Sequence, residues 1–518
     1  MEMHTGTCRK RELRPGSSSA SPQGPVSQDV QGFKVMERGS MLDKLPEDIF
    51  DSLYSYLPIE DAARAACVSH GFLRSWRRYP RLLFNNKTQG YKKLSMHLDQ
   101  DTRALEDEQY GLDKIGSYFI NMINHALENH SGFGMKALIL QLFPCRIDAS
   151  FIDKWLQIAV KPGIEELALE MSIPKKRAEY NFPSLLLSNE IGGATLESLR
   201  LISCSFHPTI TLGCNKSLTS LYLSFVHISG EELGQFVSNC LVLAQLSITN
   251  CNDIVCFKVP SVLHHLNHFQ VGNCEMLQVI EISAPKLSSF VYGDSLIKIS
   301  LGAEVKRIRM IGSKPNTLCH ARAELPSFMP AVERLIVESS CEKVKTPVLS
   351  SKFLHLKYLE IYLVDVQLYY QDYFCLVSFL DASPALETFV LHVETGCLLR
   401  CDSVLKDLDN GQLHLRQMPE CLRYNLKNVI ITGFSSATSL IELTNHIVRN
   451  ASALVCMTLD TARGCGRRTG KTDKCQHMSK EGIMEAQKAL EAVNRCIEGM
   501  VPSSTNFKAL EPCCQCGC

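Results

Sequence analysis

The sequence predicts an α/β chain in which a small three-helix unit leads into an irregular solenoid of parallel strands. Two observations carry this. From about Lys136 the pattern L-x-x-L-x-L recurs ten times in order, with other large apolar residues allowed in its slots. Ahead of it, Met41–Asn86 combines helix-start signals with an apolar stripe of helical spacing. The 518 residues are too many for one ordinary core, and an apolar share of 45% is that of a globular protein.

Residues 1–40 read as a disordered extension, because SSSASPQGPVSQ has almost nothing to bury. Arg9-Lys10-Arg11 reads as a solvated charge run, with a nuclear address as the alternative. In 41–86, Pro46 can open the first helix, where its missing N–H is not needed. Glu47 and Asp48 follow in the first turn and suit the positive end of the helix dipole. Ile49, Leu53 and Leu57 continue the stripe. Pro58 can open a second helix with a small-residue face of Ala62, Ala63 and Ala66. Ser69 can cap a third that carries Phe72, Leu73 and Trp76. So short a unit buries little by itself. It nevertheless offers Leu45, Pro46, Ile49, Leu53, Leu57, Pro58, Val68 and Trp76, so some of this surface should face a partner or the next domain.

Residues 87–135 read as a helical linker. Its main helix should end near Gly132 and place Tyr118, Met122, Ile123 and Leu127 on one face. Such a helix would join the N-terminal unit rigidly to the repeats.

The repeats occupy 136–425. Copies begin at Ile164, Leu196, Leu218, Leu243, Leu266, Leu277, Leu287, Val332, Leu356 and Leu386. Several intervals match the roughly 20–29 residues of leucine-rich repeats. In such a repeat the L-x-L portion is a short strand that pairs with the strand of the next copy, and stacking is obligatory. Cys204 and Asn250-Cys251 stand just after strands, where they can satisfy turn backbone groups. Intervals of about ten residues near Leu277 leave no room for a helix, so Leu243–Cys319 reads as a compact β-solenoid. The x residues of each strand point outward. Arg200, Tyr222 and Glu360 are therefore candidates for touching a target, with an ordinary solvated strand face as the alternative.

Residues 426–518 form the end of the stack. Leu426, Val429 and Ile431 mark a strand; Leu440, Leu443, Ile447 and Val448 a helix; Leu454, Met457 and Leu459 a second strand. A further helix is expected at about 480–497, before a cysteine-rich tail.

Catalytic chemistry is absent from this reading. Thr469–Thr472 lacks the first glycine of a phosphate loop, and Gly433–Ala437 lacks the second glycine of a nucleophile elbow. His264, His265 and His268 read as surface histidines. Cys513, Cys514, Cys516 and Cys518 read as a frayed tail of reactive thiols, with soft-metal binding or acylation as the alternative. No cofactor is expected. Lys plus Arg balances Asp plus Glu at 54 each, which disfavours a nucleic-acid partner. No apolar run approaches the roughly 18 residues of a membrane span. The N-terminus lacks the apolar stretch of a secretory signal, so the 23 cysteines are expected as reduced, mostly buried thiols in a nuclear or cytoplasmic chain.

Residues 41–86 resemble an F-box. The matching positions are Leu45-Pro46-x-Asp48-Ile49, Leu53, Leu57-Pro58, Asp61-Ala62-Ala63-Arg64, Val68-Ser69 and Trp76-Arg77. Phe50 and Gly71-Phe72-Leu73 depart from the commoner residues. Cys421–Thr461 is similar to the FBD segment that ends many plant F-box/leucine-rich-repeat proteins. Together with the irregular repeats, these segments resemble that plant family along nearly the whole ordered chain. The resemblance implies a substrate-recruiting subunit of an SCF-type ubiquitin ligase. Its F-box would hold a Skp-type adaptor, and through it cullin, using the eight apolar residues named above. Its repeats would hold a target protein. The alternative is a leucine-rich-repeat interaction scaffold outside any ligase. A small molecule between target and repeats, as some relatives use, stays open.

Overall fold

Among the described residues fifteen parallel strands form one sheet, and each is hydrogen-bonded to the next in chain order. They belong to a computed structural model that describes residues 59–67, 70–85, 105–131 and most of 134–512, together with 49, 52, 56 and 57. The strands are Arg81–Phe84 (β1), Ala137–Gln141 (β2), Glu166–Glu170 (β3), Ser198–Ile202 (β4), Ser220–Ser224 (β5), Gln245–Thr249 (β6), His268–Gly272 (β7), Ser289–Gly293 (β8), Arg307–Gly312 (β9), Arg334–Ser340 (β10), Tyr358–Asp365 (β11), Thr388–Thr395 (β12), Asn428–Thr432 (β13), Cys456–Asp460 (β14) and Asn506–Leu510 (β15). Among the helices are Ile59–Ala66 (α1), His70–Trp76 (α2), Leu105–Asn129 (α3), Ala149–Ala159 (α4), Gly230–Ser238 (α5), Thr317–Phe328 (α6), Val377–Ala382 (α7), Val404–Asp409 (α8), Thr438–Asn450 (α9) and Lys480–Cys496 (α10).

The repeat pattern accounts for the stack. Alternate strand residues share a face, and the register lays like on like. Leu167, Leu199, Leu221, Leu246, Phe269 and Phe290 form one buried row. Every apolar residue of the ten copies is at most 5% exposed. Burying a Leu or Phe is worth about 1.5–3 kcal/mol, and each copy obtains that burial only from its neighbours.

Nine copies lie in the main sheet; the one beginning at Leu277 does not. Its strand, Val279–Ile282, pairs instead with Cys256–Val259 and Lys298–Leu301 in a separate three-stranded sheet. The short interval explains the correction. β7, β8 and β9 begin at 268, 289 and 307, which are 21 and 18 residues apart. Each interval holds one short strand where a longer repeat would hold a helix. The strands described between Gln245 and Gly312 thus stack as the compact β-solenoid expected from the spacing, and among the described residues a helix returns only at Thr317. Aromatic rings fill the space between the two sheets, with Phe257 6.0 Å from Phe269, and Phe269 stacked at 5.5 Å on Phe290.

Turns after the strands recur with one geometry. Ser203, Phe225, Asn250 and Asn273 each follow a strand end and adopt left-handed φ between 52° and 61°. The N–H groups of Ser203, Phe225 and Asn250 donate to the carbonyls of Ser224, Thr249 and Gly272 on the next strand. The thiols of Cys251 and Cys274 donate to the carbonyls of Thr249 and Gly272, both at 3.4 Å. Burial pushes the Cys204 and Cys251 thiols up to about 12, so they act as small inert hydrophobes.

α5 backs the repeats where the spacing allows a helix. The Ser229 hydroxyl accepts from the Glu232 N–H at 3.2 Å, and the Glu232 carboxylate accepts from the Ser229 N–H at 2.9 Å, closing a capping box. We expect Ser229→Ala to cost about 1 kcal/mol. A urea midpoint unchanged from wild type would show that packing alone holds α5.

In α3 the buried face comprises Phe119, Ile123, Ala126 and Leu127. Tyr118, expected on that face, is 48% exposed. Ile123 and Leu127 fix the stripe, and four residues before Ile123 is Phe119, so Tyr118 is rotated roughly 100° away.

Candidate interaction surfaces

Of the eight apolar candidates near the N-terminus, Leu45, Pro46, Leu53, Pro58 and Val68 lie outside the described residues. Ile49 is helical and 43% exposed. Leu57 is half-buried against the core, and its carbonyl accepts from the Tyr79 hydroxyl at 2.7 Å. Trp76 is 6% exposed and stacks on Tyr79 with centroids 5.8 Å apart, so its ring faces the core.

These helices run straight into the sheet. α2 ends at Trp76 and β1 begins at Arg81, leaving only residues 77–80 between them. β1 pairs with β2 from Arg81↔Ala137 to Phe84↔Leu140. The Pro80 carbonyl accepts from the N–H groups of Lys136 and Ala137, at 2.7 and 2.9 Å. The Arg77 carbonyl accepts from the Ser131 N–H at 2.9 Å and from the Ser131 hydroxyl at 2.6 Å. Buried His130 places Nε2 2.9 Å from the Tyr79 carbonyl, which can only accept, so that nitrogen carries the proton. Burial lowers the pKa of this histidine and favours its neutral form.

The open face of the sheet carries two separate polar clusters. Arg200 and Tyr222 are register partners on β4 and β5. The Arg200 guanidinium lies 4.3 Å above the Tyr222 ring and 3.9 Å from the Glu170 carboxylate. Glu360 lies on β11, six strands beyond Tyr222, or roughly 30 Å at about 4.8 Å per strand.

Glu360 is a hub and is itself buried. The hydroxyls of Tyr358 and Tyr362, two residues either side on the same face, donate to it at 2.9 and 2.7 Å. His392 Nε2 lies 3.2 Å from Oε1, and Arg334 Nη2 donates to Oε2 at 3.4 Å. Burial opposes the charge, but the bonds from His392, Tyr362 and Tyr358 outweigh it and hold the carboxyl at about 2. Burial, and then the carboxylate, push the Tyr358 hydroxyl up to about 12. The Arg334 guanidinium sits 3.8 Å over the Tyr358 ring, and Tyr362 stacks on His392 at 4.2 Å. Arg309 pairs with Glu338 at 2.7 Å beside them. Of these residues, sequence alone points only to Glu360. The others emerge from strand alternation once the register is known.

Polar clamps close the C-terminal end. α9 is almost wholly buried, including Glu442, Thr444, Asn445, His446 and Asn450. Arg416 donates to Glu442 at 2.6 Å and to both oxygens of Asp372, at 2.7 and 2.9 Å. Arg423 bonds Asp381 and reaches His446 Nε2 at 3.1 Å. Burial, reinforced by Arg423 and Arg449, lowers His446 to about 4. On α10, buried Glu485 accepts from the N–H and hydroxyl of Ser436 at 2.9 and 2.7 Å.

Among the described residues no group of three or more His, Cys, Asp or Glu is placed to hold a metal. Nor is any described helix long and apolar enough to cross a membrane. Parallel rungs in chain order, a dry leucine row and an open polar face define a leucine-rich-repeat protein. The family model described as "At1g61320/AtMIF1, LRR domain" matches residues 126–514. The F-box/FBD/LRR-repeat protein At5g56810 of Arabidopsis thaliana is 23% identical over 472 residues, covering 88% of this chain and 97% of its own. The FBD-associated F-box protein At5g22730 of the same plant is 21% identical, over 83% of this chain and 89% of its own. Another Arabidopsis thaliana protein, the F-box/FBD/LRR-repeat protein At2g04230, is 24% identical, over 82% and 89%. The chain belongs to this plant family of FBD-type F-box/leucine-rich-repeat proteins.

Proposed function

We propose that this chain recruits substrates to an SCF-type ubiquitin ligase in the nucleus or cytoplasm. Its N-terminal helices hold a Skp-type adaptor, and through it cullin, while the open sheet face holds a target protein. The supporting observation is the joint: α2 passes into β1 through four residues, 77–80, with the Arg77 carbonyl tied to Ser131 and the Pro80 carbonyl tied to Lys136 and Ala137. A subunit that presents its target at a fixed distance needs a connection without slack. The chain makes and breaks no bond in this reading. It raises the effective concentration of target near a ubiquitin-loaded enzyme. In this reading exposed Ile49 makes direct contact with the adaptor, whereas Trp76 and Leu57 support the helices from within. Arg200 offers an exposed contact group over half-buried Tyr222, and Glu360 orders the side chains around it.

The test is co-purification with a plant Skp subunit. Wild type should retain it, and Leu45→Ala/Pro46→Ala and Ile49→Asp should lose it while staying folded. Truncating central apolar anchors typically costs about 2–4 kcal/mol, enough to empty a pull-down. Failure of folded wild type to retain Skp would overturn the proposal and leave a repeat scaffold outside any ligase.

A further inference from the structure

On the open face, β9 and β10 place two arginines side by side. Arg307 and Arg334 are register partners, and like charges directly opposite each other repel. Arg334 is held there by the Tyr358 ring beneath it and by Glu360. The Arg307 side chain is exposed and, among the described residues, makes neither a hydrogen bond nor an ion pair. Its other register partner is Ser289, which carries no charge. Two residues along β9, Arg309 is neutralised by Glu338. Three arginines therefore face two carboxylates, and one positive charge is left over. The row one residue upstream repeats the imbalance: Glu333 is bracketed by Lys306 at 3.1 Å and Lys357 at 3.5 Å.

Ser289 and then His268 continue the Arg307 row, and two residues beyond Arg309 along the strands the face becomes flat and apolar. Gly272 and Gly293, register partners on β7 and β8, present no side chain. A side chain at Gly293 would meet the Ile311 carbonyl at 2.7 Å, so this floor stays bare. Ile311 is 37% exposed at its edge.

We infer that this surface binds an acidic segment of the target protein, with a carboxylate bridging Arg307 and Arg334. The inference rests on the target-recruiting reading of the open face. Two guanidinium groups on neighbouring strands match a carboxylate that accepts from both. The excess charge is divided between two rows. That suits separate carboxylates along a peptide better than one phosphoryl dianion. The glycine floor lets the peptide backbone come close, and Ile311 can contact an apolar neighbour of the acidic residues.

The probe is a labelled octaglutamate peptide titrated with the full chain, beside octaglutamine and a peptide with one phosphoserine. Wild type should bind octaglutamate, more weakly as salt rises from about 50 to 200 mM. Arg307→Gln, which breaks no internal contact, should weaken binding about tenfold. Arg307→Gln/Arg334→Gln should abolish it. Lys508→Gln on β15 removes the same charge elsewhere on the sheet and should change affinity less than about twofold. The inference is overturned if octaglutamate does not bind, if Lys508→Gln matches Arg307→Gln, or if phosphoserine peptide binds more tightly than octaglutamate. Skp retention, measured on the same preparations, separates the two proposals. Retained Skp without peptide binding removes only this site, and peptide binding without Skp removes the ligase reading alone.

Discussion

Gly433→Ala should destabilise the protein by about 3–4 kcal/mol, the sum of a backbone and a packing effect. Gly433 follows β13 at φ +63°, a conformation costing other residues about 1–2 kcal/mol. Its position is that of Ser203, Phe225, Asn250 and Asn273, which tolerate similar angles. The difference lies in the neighbour. β12 runs on to Thr395, and the Val393 carbonyl lies 1.9 Å from where a Cβ would stand. Backbone must therefore shift, and with it the 433–437 loop clamped by Glu485. Gly411→Ala is the control, because φ is +66° and nothing lies within 4 Å. It should lose about 1–2 kcal/mol. Equal shifts of urea midpoint in the two variants would rule out the steric part.

Acid should unlock the Glu360 hub. Its folded carboxyl titrates at about 2, against an ordinary 4.5. As pH falls, the unfolded chain takes up this proton first. The stabilisation is complete above about pH 4.5 and disappears as pH approaches 2. The difference corresponds to a stability term on the order of 3 kcal/mol. Glu360→Gln should remove that part of the acid dependence while lowering stability at neutral pH by a comparable amount. Parallel stability-versus-pH curves for wild type and Glu360→Gln between pH 5 and 2 would show that the hub is not what acid breaks.

Much of this architecture is legible in the residues. Strand apolar slots repeat locally, so the Leu167, Leu199 and Leu221 rungs can be read one at a time. The strand–helix–strand of 428–460 and the helix at 480–496 are equally local. Four rungs escape such a reading for identifiable reasons, the first being Arg81–Phe84, whose four residues are too few to show the repeat pattern and follow a helix after only residues 77–80. Ala137–Gln141 begins with a small residue, and β15 comes after β14 only at a long interval. Val305-x-x-Ile308-x-Met310 obeys the pattern, but its interval is shorter than a helical repeat allows. With that last rung hidden, Arg307 and Arg309 are hidden too. The pairing of Arg307 with Arg334, and of Tyr362 with His392, depends on register between residues far apart in sequence. Alternation places Glu360 on the open face between Tyr358 and Tyr362, but the enclosure by Arg334 of β10 and His392 of β12 depends on register.

The sheet order has a consequence for how the protein is made. Every rung lies between the rung before it and the rung after it in the chain. A nascent chain can therefore finish each layer against one already laid down, without waiting for distant sequence. β1 breaks this rhythm first, since its partner among the described residues starts at Ala137, after all of α3 has emerged. The N-terminal helices thus leave the ribosome well before the surface that fixes them. β15 breaks it last, and the final rung is added only once α10 has been synthesised.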